Sequence, residues 1–347
     1  MSETRQFITK EEARAPYYVG VDLGGTNVKA GVVDDFGRPM SWLSVPTDTP
    51  KGPEDGARRM GQAVTDAIAQ AGLQASDIKS AGLGSPGTMD IPAGMLVLPA
   101  NLKGWENFPI ASRLSEHCGL PVVFSNDATA AAYAEYWIGS GREYNSMVLF
   151  TLGTGIGCGI IIGDTPIDGE NSHGGEYGHV IICYGDDARM CACGRRGHLE
   201  AYASATAVIK RTREALEAGR ESSLNERLQN KCTRLDPKLV AEEAEKGDLL
   251  SKEIISDTAR YMGVGIANIM HTIDPACILI GGAMTFGGND TQLGQWFLDE
   301  MKAEIGRLAY PVLAERTKIE YAALGSDAGF IGAAGLARAA HRKGLPS

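Results

Sequence analysis

The sequence predicts an α/β protein whose sheets are covered by helices, built as two domains around a cleft. Three observations carry that expectation. Strand-like and helix-like periodicities alternate along the chain. A strand, a glycine-rich turn and a second strand occur in succession once in each half, a weak internal duplication. The length of 347 residues gives two ordinary domains a sizeable core each, and no Pro- or Ser-rich linker separates the halves.

The elements follow in order. The polar start, MSETRQFITKEEARA, reads as an arm or short helix. In YYVGVDLGGTNVKAGVV, Tyr17 to Val33, the residues Val19, Val21 and Leu23 alternate, glycines break the run, and Val28, Ala30 and Val32 alternate again. Met60, Val64, Ala67, Ile68 and Ala71 recur at helical spacing over Asp55 to Ala71. A strand at Ile78 to Leu83 ends in a GSPG turn, and LVLPANLKGW reads as a loop. Pro121 to Ser125 is a short buried strand that runs into Asn126-Asp127 and an Ala-rich helix, ATAAAYAEYW. The second unit, MVLFTLGTGIGCGIII, starts at Met147. Thr206 to Glu245 is charged and helical, Ser256 to Met270 is a helix, and the apolar strand CILI leads into the turn GGAM. The tail after Ser326, AGFIGAAGLARAA, is a helix of small residues.

Composition narrows the function classes. Hydrophobic residues make up 44% and charged residues 22%, as in a soluble globular chain. The formal charge of −10 gives no electrostatic support for a nucleic-acid partner. No apolar run approaches the roughly 18–20 residues of a membrane span, and the start has no signal-peptide core. Seven cysteines, an odd number unevenly spread, do not suggest a disulfide framework. Three of them lie close to His179 and His198, which points to metal or to a reducing cytoplasm.

The glycine turns carry the first chemistry. In Asp22 to Asn27, DLGGTN, Gly24 and Gly25 let backbone N–H groups approach a phosphate closely. Thr26 and Asn27 add hydrogen-bond donors, Lys29 adds charge, and Asp22 is a hard oxygen ligand suited to magnesium. TLGTGIGCG, with Gly153, Thr154 and Gly155, repeats the device. The competing reading is two tight hairpins that use glycine for geometry alone. No GxxxxGK[ST] segment is present, and strands rather than helices follow these turns, so neither a P-loop nor a dinucleotide fingerprint fits. Gly281 and Gly282 form a third turn after a strand, where a base or ribose could lie.

Asp127 has two readings that the residues leave open. It can cap the helix that follows, or it can accept the proton of an attacking hydroxyl in phosphoryl transfer. The stretch GGEYGHVIICYGDDARMCACGRRGHLE is the most informative in the chain. His179, Cys191, Cys193 and His198 offer four nitrogen and sulfur ligands within twenty residues, the set that a closed, structural zinc site takes. The bland alternative is free cysteines and surface histidines, and Cys183 ranks behind because IIC reads as strand core. Glu176 and Glu200 bracket the cluster, and a metal-pinned loop would hold both toward vicinal sugar hydroxyls.

These residues together resemble the ROK family (repressors, open reading frames, kinases) of bacterial sugar kinases. DLGGTN, GSPG, NDATAAA, TLGTGIGCG, GEYGH and CACGRRGHLE occur in the family's order, over about Tyr18 to Gly335. The resemblance implies the actin-like (ribonuclease H-like) ATPase fold, with two α/β domains flanking a deep cleft. It implies a small domain over 1–125, a larger one over 126–326 that carries the zinc-pinned loop, and a C-terminal helix, about 327–347, packing back on the first. It further implies ATP with magnesium, a structural zinc, a cytoplasmic homodimer, Asp127 as base, and Asn101, Asn126, Glu176, His179 and Glu200 as sugar contacts. The DLGGTN and TLGTGIG turns become phosphate loops, and GGAM becomes part of the nucleotide site. In the family pattern CxCGxxGCxE a third cysteine stands where this chain has His198, so the ligand set becomes His2Cys2 instead of HisCys3.

Three functions compete. The first is transfer of the ATP γ-phosphate to a hexose 6-hydroxyl, with glucose ahead of N-acetylmannosamine and N-acetylglucosamine. A sugar-responsive repressor of the same family would need a DNA-binding domain ahead of the first glycine turn, where only about twenty residues precede Asp22. A zinc hydrolase would need an open coordination position, which four clustered ligands do not leave.

Overall fold

The computed structural model describes residues 6–99, 101–230 and 232–344. The first five residues of the expected N-terminal arm and the last three of the expected C-terminal helix lie outside the described residues.

The chain divides into two compact units: Met1–Met147 with Gly159–Gly175 and Ala323–Ser347, and Val148–Cys158 with Glu176–Ala322. The chain opens with β1 (Tyr17–Leu23), β2 (Asn27–Val33), β3 (Leu43–Pro46), α1 (Pro53–Gln70) and β4 (Ile78–Ser85). The short hairpin β5 (Thr88–Asp90) and β6 (Met95–Leu98) follows, then α2 (Ile110–Cys118), β7 (Val122–Asn126) and α3 (Asp127–Trp137). A second round comprises β8 (Ser146–Leu152), β9 (Ile156–Ile162), β10 (Thr165–Pro166), α4 (Glu200–Ala203) and α5 (Ala205–Glu217). The chain closes with α6 (Leu224–Gln229), α7 (Pro237–Glu245), α8 (Leu249–Ile273), β11 (Cys277–Gly281), α9 (Gln292–Leu308), α10 (Pro311–Arg316), β12 (Lys318–Tyr321) and α11 (Ala328–Lys343).

The two five-stranded sheets repeat one strand order. The first runs β3-β2-β1-β4-β7 and the second β10-β9-β8-β11-β12, so each places its third, second, first, fourth and fifth strands side by side. In the first sheet β1, β2 and β3 pair antiparallel, and β4 and β7 add parallel to β1. Val19, Val21 and Leu23 are buried on one face of this sheet and Tyr18 on the other, as expected where helices cover both faces. Among the described residues no helix is long and apolar enough to cross a membrane.

Helix α11 lies directly on the first sheet and along α3, and glycine makes this possible. A methyl group at Gly20 would stand 1.7 Å from the Phe330 carbonyl oxygen, and one at Gly82 would stand 1.8 Å from that of Ala333. Gly332 approaches the Ala130 carbonyl on α3 as closely. The boundary expected between residues 125 and 126 assigns α3 to the second domain. In the structure α3 belongs to the first unit, because α11 packs along it. Two further readings are corrected. Leu96–Leu98, read as the start of a loop, belong to strand β6, which pairs with β5. The IIC segment is not strand core: Ile181 is 56% exposed and makes only an isolated bridge to His198.

Candidate active site

In the first unit the parallel strands β1, β4 and β7 bring their C-terminal ends to one edge. Asp22 pairs with Gly84, and Ser85 pairs with Asn126. Ligands of open α/β sheets collect at such carboxyl ends. Asn126 caps α3: its Oδ1 accepts from the N–H groups of Ala128 (2.8 Å) and Thr129 (3.2 Å). Capping therefore falls to Asn126, and Asp127 opens the helix as its first residue, directly above Gly84. The Asp127 Oδ1 also accepts from the Ala128 N–H at 2.8 Å.

Asp22 sits on β1 with 19% of its side chain exposed, 3.5 Å from the Lys29 ammonium. Burial pushes the Asp22 carboxyl above its ordinary value, and Lys29 opposes the shift. Lys29 also donates to the Ser326 carbonyl at 3.0 Å, which ties β2 to the start of α11. Between the strands the Gly24 N–H bonds the Asn27 carbonyl at 2.9 Å, and Gly25, Thr26 and Asn27 are exposed. Thr47 and Thr49 hydroxyls donate to the carbonyls of Gly24 (2.5 Å) and Gly25 (3.3 Å), which fixes the turn's carbonyls. Asn101 lies beside this turn, its carbonyl 3.2 Å from where a methyl on Gly25 would stand.

In the second unit β8 and β9 bracket the turn of Gly153, Thr154 and Gly155. Its carbonyls are again held from behind, by the Ala205 N–H on Gly153 (2.9 Å) and the Thr206 hydroxyl on Thr154 (2.8 Å). The Ile156 N–H donates to Glu200 Oε2 at 3.0 Å. Gly281 ends β11, and Gly282, at φ +91°, fits against Leu152, where a methyl would stand 2.4 Å from the carbonyl oxygen. The Met284 N–H then bonds that same carbonyl at 3.0 Å, so the third glycine turn is stitched to the strand that leads into the second.

The same unit assembles the His–Cys cluster. A tight turn at Cys191–Gly194 and the bridge between Ile181 and His198 fold the loop on itself. As a result one ligand atom each from His179, Cys191, Cys193 and His198 lies within 4.8 Å of the others. The two Nδ1 atoms are 3.2 Å apart, Cys193 Sγ is 3.2 Å from His198 Nδ1, and Cys191 Sγ is 3.8 Å from His179 Nδ1. A tetrahedron with ordinary Zn–N and Zn–S bonds has edges of roughly 3.3–3.8 Å. The donor set fits zinc in chemistry as well. Burial, with Glu200 and Cys193 nearby, pushes the Cys191 thiol up to about 11, a shift that a dication at the centre would reverse. Burial and His179 lower His198, which favours the neutral imidazole that ligates metal. Cys183 stands outside the cluster.

The glutamates attach to this cluster from two sides. Glu176 Oε2 is 3.7 Å from His179 Nε2, and Glu200 Oε1 is 3.7 Å from Cys191 Sγ. Each sequence-predicted residue of the second unit therefore joins one connected set, apart from Gly281 and Gly282, which reach it through Leu152. Thr47, Thr49 and Thr206, which hold the glycine turns from behind, had no signal in the sequence, since each acts from more than twenty residues away.

Residues 18–340 match the ROK family. The glucokinase of Halalkalibacterium halodurans is 32% identical over 316 residues, which span 91% of this chain and 93% of that protein. An N-acetylmannosamine kinase of Salmonella paratyphi A is 29% identical over 322 residues, 92% of this chain and 98% of its own. Among solved structures, the ROK hexokinase of Thermus thermophilus superposes with a TM-score of 0.80 at 31% identity, covering 94% of this chain and 99% of the other. The ROK-family glucokinase of Streptomyces griseus, solved with glucose and AMPPNP, gives 0.74 at 31% identity over 93% and 99%. With its α/β sheets, glycine turns and His–Cys loop, the chain belongs to the ROK family and has the actin-like ATPase fold of the family's kinases.

Proposed function

We propose that this chain is a glucokinase that transfers the γ-phosphoryl group of ATP to the 6-hydroxyl of glucose. That it is an ATP-dependent sugar kinase rests on the family match, on the glucokinase relatives and on a solved relative that holds glucose with AMPPNP. The observation that carries the sugar assignment is the joining of Glu176, His179 and Glu200 through one metal-ligand cluster next to a glycine turn. Carboxylates held in this way suit pairs of vicinal hydroxyls.

Asp127 accepts the proton of the 6-hydroxyl as the oxygen–phosphorus bond forms and the bond to the β-phosphate oxygen breaks, releasing ADP. Backbone N–H groups of the two glycine turns receive phosphate oxygens, where donors oriented in advance stabilise developing charge. Asn101 and Asn126 donate to sugar hydroxyls, Asn126 through the amide nitrogen that its capping role leaves. Asp22 would hold magnesium, which supplies charge neutralisation on the phosphates when bound. His179, Cys191, Cys193 and His198 would hold zinc, which orders the loop and leaves the chemistry to other groups. The family resemblance further makes the enzyme a cytoplasmic homodimer.

An N-acetylhexosamine is the second reading, favoured by the N-acetylmannosamine kinase relative. The two differ at the sugar C2 substituent, so competition between glucose and N-acetylmannosamine separates them. For the base, Asp127→Ala abolishes turnover while glucose binding, followed by calorimetry, persists within about threefold. Retained turnover would remove Asp127 from the mechanism.

A further inference from the structure

Each of the first two glycine turns lies beside a residue that the sugar reading uses: Gly25 beside Asn101, and Gly155 beside Glu200. The second contact is the closer. A methyl group on Gly155 would stand 2.3 Å from Glu200 Oε2, and the next two nearest atoms belong to the same carboxylate. Gly155 is not in the left-handed region, so its backbone conformation alone does not demand glycine. What demands it is the carboxylate that fills the space. That carboxylate accepts the Ile156 N–H at 3.0 Å through Oε2, and its Oε1 faces Cys191 of the metal-ligand cluster at 3.7 Å.

We propose that Glu200 is the positioning residue of the phosphate turn, so that one carboxylate links the sugar loop to the nucleotide site. Oε2 fixes the turn of Gly153–Ile156 through the Ile156 amide, and Oε1 is the oxygen presented to a sugar hydroxyl. A sugar that draws on Oε1 therefore stiffens the turn on which the phosphates rest. By reciprocity the nucleotide tightens sugar binding by the same factor. The inference rests on the sugar-kinase reading and adds a coupling to it.

The test measures binding, not turnover. Glucose and magnesium AMPPNP are titrated calorimetrically, each alone and in the presence of the other, into the zinc-loaded full chain and three variants. Wild type binds each ligand severalfold tighter when the other is present. Glu200→Gln keeps an oxygen for the Ile156 N–H, so AMPPNP alone binds within about twofold of wild type while glucose weakens. Glu200→Ala leaves that N–H without its acceptor, and AMPPNP alone weakens by about fivefold or more, an effect that a residue touching sugar only would not produce. Gly155→Ala displaces the carboxylate and weakens glucose alone by about tenfold, although the residue lies in a phosphate turn. AMPPNP affinity unchanged in Glu200→Ala, or glucose affinity unchanged in Gly155→Ala, overturns the coupling. A wild-type chain that binds neither ligand overturns the sugar-kinase reading itself. Glu200→Gln, nearly isosteric, keeps the comparison available if either smaller variant fails to fold.

Discussion

Replacing His198 with Ala removes one corner of the proposed zinc site, and its consequence can be worked from the geometry. His198 Nδ1 lies 3.2 Å from both His179 Nδ1 and Cys193 Sγ, so it completes two edges of the tetrahedron. Structural zinc in four-ligand sites contributes about 10–16 kcal/mol, or roughly 3 kcal/mol for each ligand if shared evenly. Losing one ligand then weakens zinc by about 100-fold. The assay is competition with a chromogenic chelator, alongside elemental analysis of the purified protein. Wild type holds one zinc per chain, and His198→Ala releases it at chelator concentrations about 100-fold lower. Glu200 lies two residues beyond His198, so glucose affinity falls in parallel. His198→Cys, which creates a three-cysteine set, retains zinc and glucose binding. If His198→Ala keeps a full equivalent of zinc against the same chelator as wild type, the four-ligand assignment is refuted.

Asp22→Asn separates stability from function. Burial raises the folded-state pKa of Asp22 above its unfolded value, so keeping the carboxylate ionised costs stability once the pH exceeds the folded value. The variant is therefore more stable than wild type at pH 7, an advantage that disappears below about pH 4, while its magnesium-dependent turnover falls; paired thermal melts at the two pH values check the sign. Glu135 is fully buried on α3 and accepts the N–H groups of Ser140 at 2.9 Å and Leu324 at 2.7 Å. Glu135→Ala removes the acceptor of two partly buried N–H groups and lowers stability by about 1–3 kcal/mol in urea unfolding, since partly exposed donors can recover some bonding to water. A loss below about 1 kcal/mol would show that the two amides find other partners.

The chain's local chemistry was legible and its long-range packing was not. Val19, Val21 and Leu23 followed by glycines could be read as strand and turn because alternation and turn residues act within a few positions. Cys191, Cys193 and His198 fall within one short loop, where their proximity could be read from spacing, and His179 contributes a ligand atom within 4.8 Å of theirs. The placement of α3 was hidden because it depends on Gly332, which meets α3 some two hundred residues away along the chain. The IIC run misled because three apolar residues resemble a buried strand, whereas Ile182 and Cys183 both donate to the Gly197 carbonyl in an open loop. The bond between Ile156 and Glu200 left no trace in sequence either, since a backbone amide has no residue type to betray it.

Sugar phosphorylation is tested most directly by coupled release of ADP. Purified protein with magnesium ATP is offered glucose, mannose, fructose, N-acetylglucosamine and N-acetylmannosamine in turn. ADP release is sugar-dependent, fastest with glucose, and accompanied by glucose 6-phosphate. Absence of ADP release with every sugar, from protein shown to be folded and zinc-loaded, would contradict sugar phosphorylation.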